Sequence, residues 1–119
     1  MRAARFHGRG DVRIDDVPAP ELRPGTVAID VAWCGICGTD LHEYLEGPIF
    51  IPPPGSPQPV SGEAAPIVMG HEFSGTVRAL GEGVDDLSVG DAVVVEPYII
   101  REDVDTGPES KTYLSLIHI

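Results

Sequence analysis

The chain is poor in basic residues. Its 119 residues include 8 Lys and Arg against 19 Asp and Glu, which gives a formal net charge of −11, and the acids are scattered along the chain. Nucleic-acid binding requires clustered Lys and Arg that neutralise phosphates. The composition therefore argues against a nucleic-acid partner, and it indicates a solvated acidic surface.

Long apolar runs are also missing. No stretch approaches the ~20 apolar residues of a membrane-spanning helix. The first eight residues, MRAARFHG, enter a strand-like alternation directly and contain no apolar core of an export signal. These absences predict a cytoplasmic protein without a membrane partner.

Cysteine is rare. The chain has two, Cys34 and Cys37, spaced C-x-x-C. In a chain without an export signal, this spacing indicates a reducing compartment and a metal or redox role rather than a disulfide scaffold. A thioredoxin-like role is disfavoured because no crossover helix precedes the pair. The pair could also be half of a structural zinc knuckle, but the sequence contains no second C-x-x-C.

Helical periodicity is limited, and most patterned segments alternate with period two. This predicts strands at residues 2–6, 12–17, 26–33, 67–79 and 92–96, separated by glycine- and proline-containing turns. In the strand at 26–33, we expect Val27, Ile29, Val31 and Trp33 on one face. Cys34 then lies on the opposite face as a packed thiol. The pattern is typical of a mainly β barrel or sandwich in one domain.

A single short helix is predicted over residues 39–46. Thr39 or Asp40 could cap its start, and Leu41 and Leu45 lie four residues apart on one side. Residues 47–66 follow and hold seven of the twelve prolines, which predicts a long irregular loop. Loops of this length inside a compact domain tend to be functional.

Two short strings, CGICGTDLH at 34–42 and GHEFSG at 70–75, carry the candidate chemistry. Cys37, His71 and Glu72 supply a thiolate, an imidazole and a carboxylate, the side chains found in catalytic zinc sites. Thr39 and His42 lie close to the thiol and could form a proton relay. Alone, Cys37 could be a small buried side chain and His71 a core histidine, but together the residues favour a metal site.

The role of Glu72 is open on stereochemical grounds. Neighbouring residues of a strand point to opposite faces, so His71 and Glu72 can share one metal only if the backbone bends between them. Gly70 could permit that bend. Otherwise Glu72 orients a ligand from outside the coordination sphere.

Three motifs in order, GICGTDxH at 35–42, GHExxGxV at 70–77 and GxGVxxLxVGDxV at 81–93, resemble the N-terminal part of zinc-dependent medium-chain dehydrogenases/reductases, the family of alcohol and sorbitol dehydrogenases. The stretch EYxxGPIF at 43–50 is similar to the 2,3-butanediol dehydrogenase branch in particular. The resemblance covers roughly residues 1–97.

This resemblance implies a GroES-like β-barrel catalytic domain whose Rossmann partner domain, which binds NAD or NADP, is missing here. It implies a catalytic zinc on Cys37 and His71 with Glu72 at or near it, and a relay through Thr39 and His42. The implied reaction moves a hydride between a small secondary alcohol or diol, or the corresponding ketone, and NAD(P). A homo-oligomer is expected for the full-length protein. A four-cysteine structural zinc lobe is doubtful because residues 97–113 contain no cysteine.

The final six residues, LSLIHI, need a separate interpretation. They contain no capping or turn residue, and one reading frame of a transposon end used in sequencing libraries encodes the same string. We therefore expect a partial GroES-like domain over residues 1–113 and a non-native tail over 114–119, and we give His118 no functional weight.

Two other functions remain to be weighed. A non-catalytic GroES-like assembly or metal-binding module would have no need of a relay such as Thr39 and His42. A zinc-free quinone reductase of the same superfamily would have no need of Cys37 and His71. The residues favour the dehydrogenase.

Overall fold

The computed structural model describes residues 1–59 and 61–97. Within this part, the chain forms six strands and one helix: β1 (Arg2–Gly8), β2 (Asp11–Asp16), β3 (Val27–Cys34), α1 (Gly38–Glu46), β4 (Ile67–Val68), β5 (Phe73–Leu80) and β6 (Ala92–Val94). The nine-residue α1 is far from membrane-spanning length, and no described helix is long and apolar enough to cross a bilayer.

The strands form two three-stranded sheets, with orders β2-β1-β4 and β3-β5-β6. Every pairing among the described strands is antiparallel. The prediction of a mainly β domain with one short helix is confirmed. The strand predicted at 67–79 is wrong as a single element, because β4 and β5 are separated by residues 69–72 and belong to different sheets. The other predicted strands and the helix lie within a few residues of the observed ones. The predicted domain end at residue 113 and the tail at 114–119 lie outside the described residues.

The core lies between the first sheet and the proline-rich loop. Phe6 of β1 is fully buried and packs with Ile51, Ala65 and Ile67, and Met69 contacts the edge of this cluster. The loop therefore contributes side chains to the core at both of its ends. This anchoring keeps the long segment between α1 and β4 against the sheet.

The predicted single face of β3 is wrong at its end. The pairing of β3 with β5 shifts register between Ala28 and Ile29 and again between Val31 and Trp33. The first shift leaves its extra residue, Arg78, on β5, whereas the second leaves Ala32 as an extra residue on β3 and reverses the side to which the following β3 residues point. Trp33 follows this extra residue and is 80% exposed, whereas Val31 is half-buried.

The predicted start of α1 also needs correction. The residue that caps the helix is Cys37, and the Asp40 carboxylate accepts a hydrogen bond from the Cys37 amide at 2.9 Å. Leu41 and Leu45 are both about half exposed, and the buried side chain of the helix is Glu43. The C-terminal end of α1 contacts the β1–β2 turn, where the Gly10 amide donates to the Tyr44 carbonyl at 2.7 Å.

We predict that Phe6→Ala lowers the free energy of unfolding by about 3–5 kcal/mol, since it removes the largest fully buried side chain and leaves a cavity. Urea denaturation measures the change. Ile14→Ala, at a position 66% exposed on the neighbouring strand β2, is the control and should have little effect. Equal losses in the two variants would contradict this description of the core.

Candidate metal centre

The two candidate strings are brought together by the pairing of β3 with β5. Cys34, the last residue of β3, lies opposite Phe73, the first residue of β5. Just beyond this pair, the Gly35 amide donates to the Glu72 carbonyl at 2.7 Å. Residues more than thirty positions apart in the sequence therefore become neighbours at one end of the sheet.

Cys37, His71 and Glu72 form a compact cluster at this end. One potential ligand atom from each residue lies within 4.8 Å of the other two. Zinc ligands at 2.0–2.3 Å in a tetrahedron are separated by about 3.3–3.8 Å, so small side-chain adjustments suffice to close this cluster around one ion. The three donor types also match those of catalytic zinc sites. The cluster fits zinc, and the ligand assignment itself stays a prediction.

The backbone bend that the sequence left open is present. Gly70 has a φ of 112°, a conformation that side chains disfavour, and β5 begins only after Glu72. His71 and Glu72 thus lie before the regular strand and can face the same side. A Cβ built on Gly35 would lie 3.0 Å from the Glu72 carboxylate, so a glycine at position 35 leaves room for that side chain.

Helix α1 contributes two further polar groups to the cluster. The Thr39 hydroxyl lies 3.4 Å from His71 Nε2, and the Asp40 carboxylate lies 3.5 Å from His71 Nδ1. A carboxylate on one ring nitrogen fixes the orientation of a histidine whose other nitrogen binds a metal. Sequence reasoning considered Asp40 only as a helix cap. The available signal was an acid in the first helical turn after a candidate ligand.

Cys34 is not part of the cluster and is not the packed thiol that was predicted. It is exposed, and its thiol donates to the Gly35 carbonyl at 3.5 Å. Partial desolvation, followed by the negative charges of Asp40 and Glu72, raises the pKa of the Cys34 thiol. This environment disfavours the thiolate that a metal would require.

His42 is placed apart from the other candidate residues. It is exposed on α1, three residues beyond Thr39, and it does not belong to the ligand cluster. The structure therefore brings together Cys37, Thr39, His71 and Glu72 but not His42. A role at the water-facing end of a relay stays a prediction.

The cluster opens into a cleft of about 700 Å³. The wall around the candidate ligands includes Thr39, Asp40 and Glu43 from α1, and apolar side chains complete it: Trp33, Phe50, Ile51, Met69, Phe73, Val94 and Val95. A volume of this size suits a small organic molecule. The site combines a polar end at His71 with a largely apolar remainder.

Comparisons with known proteins agree with the fold and with the motifs. The sequence model of the alcohol dehydrogenase GroES-like domain matches residues 23–114. A protein of Neisseria gonorrhoeae named (R,R)-butanediol dehydrogenase is 69% identical over 115 residues, and the mouse sorbitol dehydrogenase is 40% identical over 98 residues. The crystal structure of the 2R,3R-butanediol dehydrogenase of Bacillus subtilis superposes with a TM-score of 0.86 at 50% identity.

The match covers only part of each relative. It includes 97% of this chain but 32% of the Neisseria protein and 34% of the Bacillus chain, and 81% of this chain but 24% of the mouse enzyme. The chain thus spans about a third or less of the proteins that it resembles. No parallel strand pair of the kind found in dinucleotide-binding domains occurs in residues 1–59 and 61–97.

We predict that Asp40→Asn weakens zinc binding by about 10- to 100-fold, the usual loss when the carboxylate behind a metal-binding histidine is removed. The single amide oxygen of Asn cannot serve both the Cys37 amide and the His71 ring. Competition with a chromogenic chelator measures the affinity. Asp86→Asn, at an exposed position outside the cleft, is the matched control. Unchanged affinity in Asp40→Asn would remove this residue from the site.

Proposed function

We propose that this chain, which belongs to the alcohol dehydrogenase family with a GroES-like domain, forms the metal-binding part of an NAD(P)-dependent zinc dehydrogenase. The proposed reaction moves a hydride between a small secondary alcohol or diol, such as 2,3-butanediol, and the nicotinamide. The relatives named butanediol dehydrogenase support this substrate class.

One observation carries the proposal. Cys37 and the adjacent pair His71 and Glu72 come from two separate segments, yet their ligand atoms lie within 4.8 Å of one another beside an open cleft. A structural zinc site is normally closed by four protein ligands, whereas a catalytic site keeps a position for substrate. Three candidate ligands and an adjacent cleft match the catalytic arrangement.

Zinc held there would act as a Lewis acid that makes a substrate hydroxyl easier to deprotonate. The protein's part is to hold the ligands and to move the proton. Asp40 orients the His71 ring, which lies 3.5 Å away. The Thr39 hydroxyl, beside His71 Nε2, can accept a proton from a substrate oxygen and donate its own onward. His42, exposed on the same helix, could then deliver the proton to water.

The nicotinamide cofactor is assigned to residues outside the described part of the chain. Hydride transfer is the chemistry of NAD or NADP, and the protein supplies binding and orientation. The apolar wall of the cleft would exclude water from the substrate carbon. We also propose a cytosolic location, because both cysteines are free and metal binding requires a reduced Cys37.

We predict that Cys37→Ser and His71→Ala each abolish zinc binding and alcohol oxidation together in the full-length protein. Zinc content by mass spectrometry and NAD(P)H formation are the measurements. Cys34→Ser is the matched control, since this exposed thiol lies outside the ligand cluster. Full zinc content in either ligand variant would contradict the assignment. Zinc binding by the wild-type protein without turnover would favour a non-catalytic metal-binding module.

We predict that His42→Ala retains zinc and lowers kcat for alcohol oxidation because proton release is slower. We also predict that its kcat falls less steeply than that of the wild type as the pH drops below neutral. A relay that passes the proton through an imidazole makes kcat depend on pH. The pH profile of kcat is the measurement. Leu41→Ala, exposed on the same helix, is the control. Identical profiles for His42→Ala and wild type would remove His42 from the relay.

A further inference from the structure

Glu43 is the buried charged side chain of the described structure. It is 3% exposed, although it lies on a helix whose apolar residues Leu41 and Leu45 are about half exposed. A buried carboxylate is costly unless hydrogen-bond donors surround it. The reason for its burial therefore lies in its partners.

Those partners are three successive backbone amides of the segment after the helix. Glu43 Oε2 accepts from the Ile49 amide at 2.9 Å, and Oε1 accepts from the Ile51 amide at 3.1 Å and from the Phe50 amide. Hydrogen bonds to an ionised acceptor are about twice as strong as those between neutral groups. Consecutive amides that point at one anion also form a recognised anion-binding arrangement.

The start and the end of this segment are fixed as well. The Gly47 amide donates to the Glu43 carbonyl at 2.9 Å, and a Cβ at position 47 would collide with both the carbonyl and the carboxylate of Glu43. At the other end, Ile51 is 5% exposed and belongs to the core cluster with Phe6. Between these two anchors lies Phe50.

Phe50 faces the cleft beside the candidate metal ligands. Its side chain is 62% exposed, and Phe50 and Glu43 both line the cleft, as does Thr39. Thr39 and Glu43 are four residues apart on α1 and thus share one face of the helix. One face of α1 therefore places Thr39 beside His71 and uses Glu43 to bind the segment that carries Phe50.

We propose that Glu43 is a positioning residue, which sets substrate recognition by holding the backbone of residues 49–51 so that the Phe50 ring packs against the carbon skeleton of a small diol. This inference rests on the proposed function. Loss of the tether lets Phe50 withdraw from the cleft, which weakens substrate binding. It leaves Cys37 and His71 in place, because they are held by the start of α1 and by the β3–β5 pairing.

The test uses Glu43→Gln in the full-length protein. A glutamine has one acceptor oxygen, and its NH2 group would face a backbone N–H, so at least one of the three bonds is lost. We expect the amides of residues 49–51 to exchange hydrogen faster. We also expect the KM for 2,3-butanediol to rise about tenfold while kcat and zinc content change little. This pattern is expected when a contact made equally in the ground state and the transition state is lost. Glu46→Gln, exposed in the last turn of α1, is the matched control and should match wild type.

A double-mutant cycle separates positioning from general destabilisation. In a Phe50→Ala background, Glu43→Gln should raise the KM no further, because the ring that it positions is gone. The proposal would be overturned if Glu43→Gln still raised the KM tenfold in the Phe50→Ala background. It would also be overturned if Glu43→Gln alone showed faster amide exchange with an unchanged KM. If the wild-type protein binds zinc but oxidises no diol with NAD or NADP, the proposed function and the substrate role of Glu43 both fail. Unchanged exchange in Glu43→Gln would instead refute the tether alone.

Discussion

The antiparallel pairing of β3 with β5 is the constraint on which the site depends. It places Cys34 opposite Phe73 and joins Gly35 to Glu72, so that the residues just beyond each strand meet at one end of the sheet. Hydrogen bonds along the two eight-residue strands hold them together on both sides of the two register shifts. A slip of one residue would reverse the faces and separate the candidate ligands.

Helix α1 adds the second element of order. It begins at the candidate ligand Cys37, and Asp40 in its first turn contacts both the Cys37 amide and the His71 ring. One turn later, Glu43 fixes the segment that carries Phe50. A helix of nine residues thus links the candidate ligands, the proposed proton relay and the wall of the cleft.

Much of this arrangement could be predicted from sequence, because period-two patterns and turn residues report strands directly. The spacing of the two motif strings likewise indicated Cys37 and His71 as candidate ligands. The exposed position of Trp33 could not be predicted, since β-bulges interrupt the alternation without a glycine signal in β3. The roles of Asp40 and Glu43 were missed for another reason. Asp40 gave a local signal only as an acid in the first helical turn, and its ring partner His71 is distant in sequence. Glu43 accepts hydrogen bonds from backbone amides, which side-chain patterns do not specify.

The central claim is that one sulfur, one imidazole and one carboxylate converge on a single ion. X-ray absorption at the zinc edge of the zinc-loaded chain tests it most directly. The account predicts one sulfur at about 2.3 Å, contributed by Cys37, with the remaining ligands nitrogen or oxygen at about 2.0–2.2 Å. A spectrum with two sulfurs, which would bring Cys34 into the coordination sphere, or with none, would contradict it.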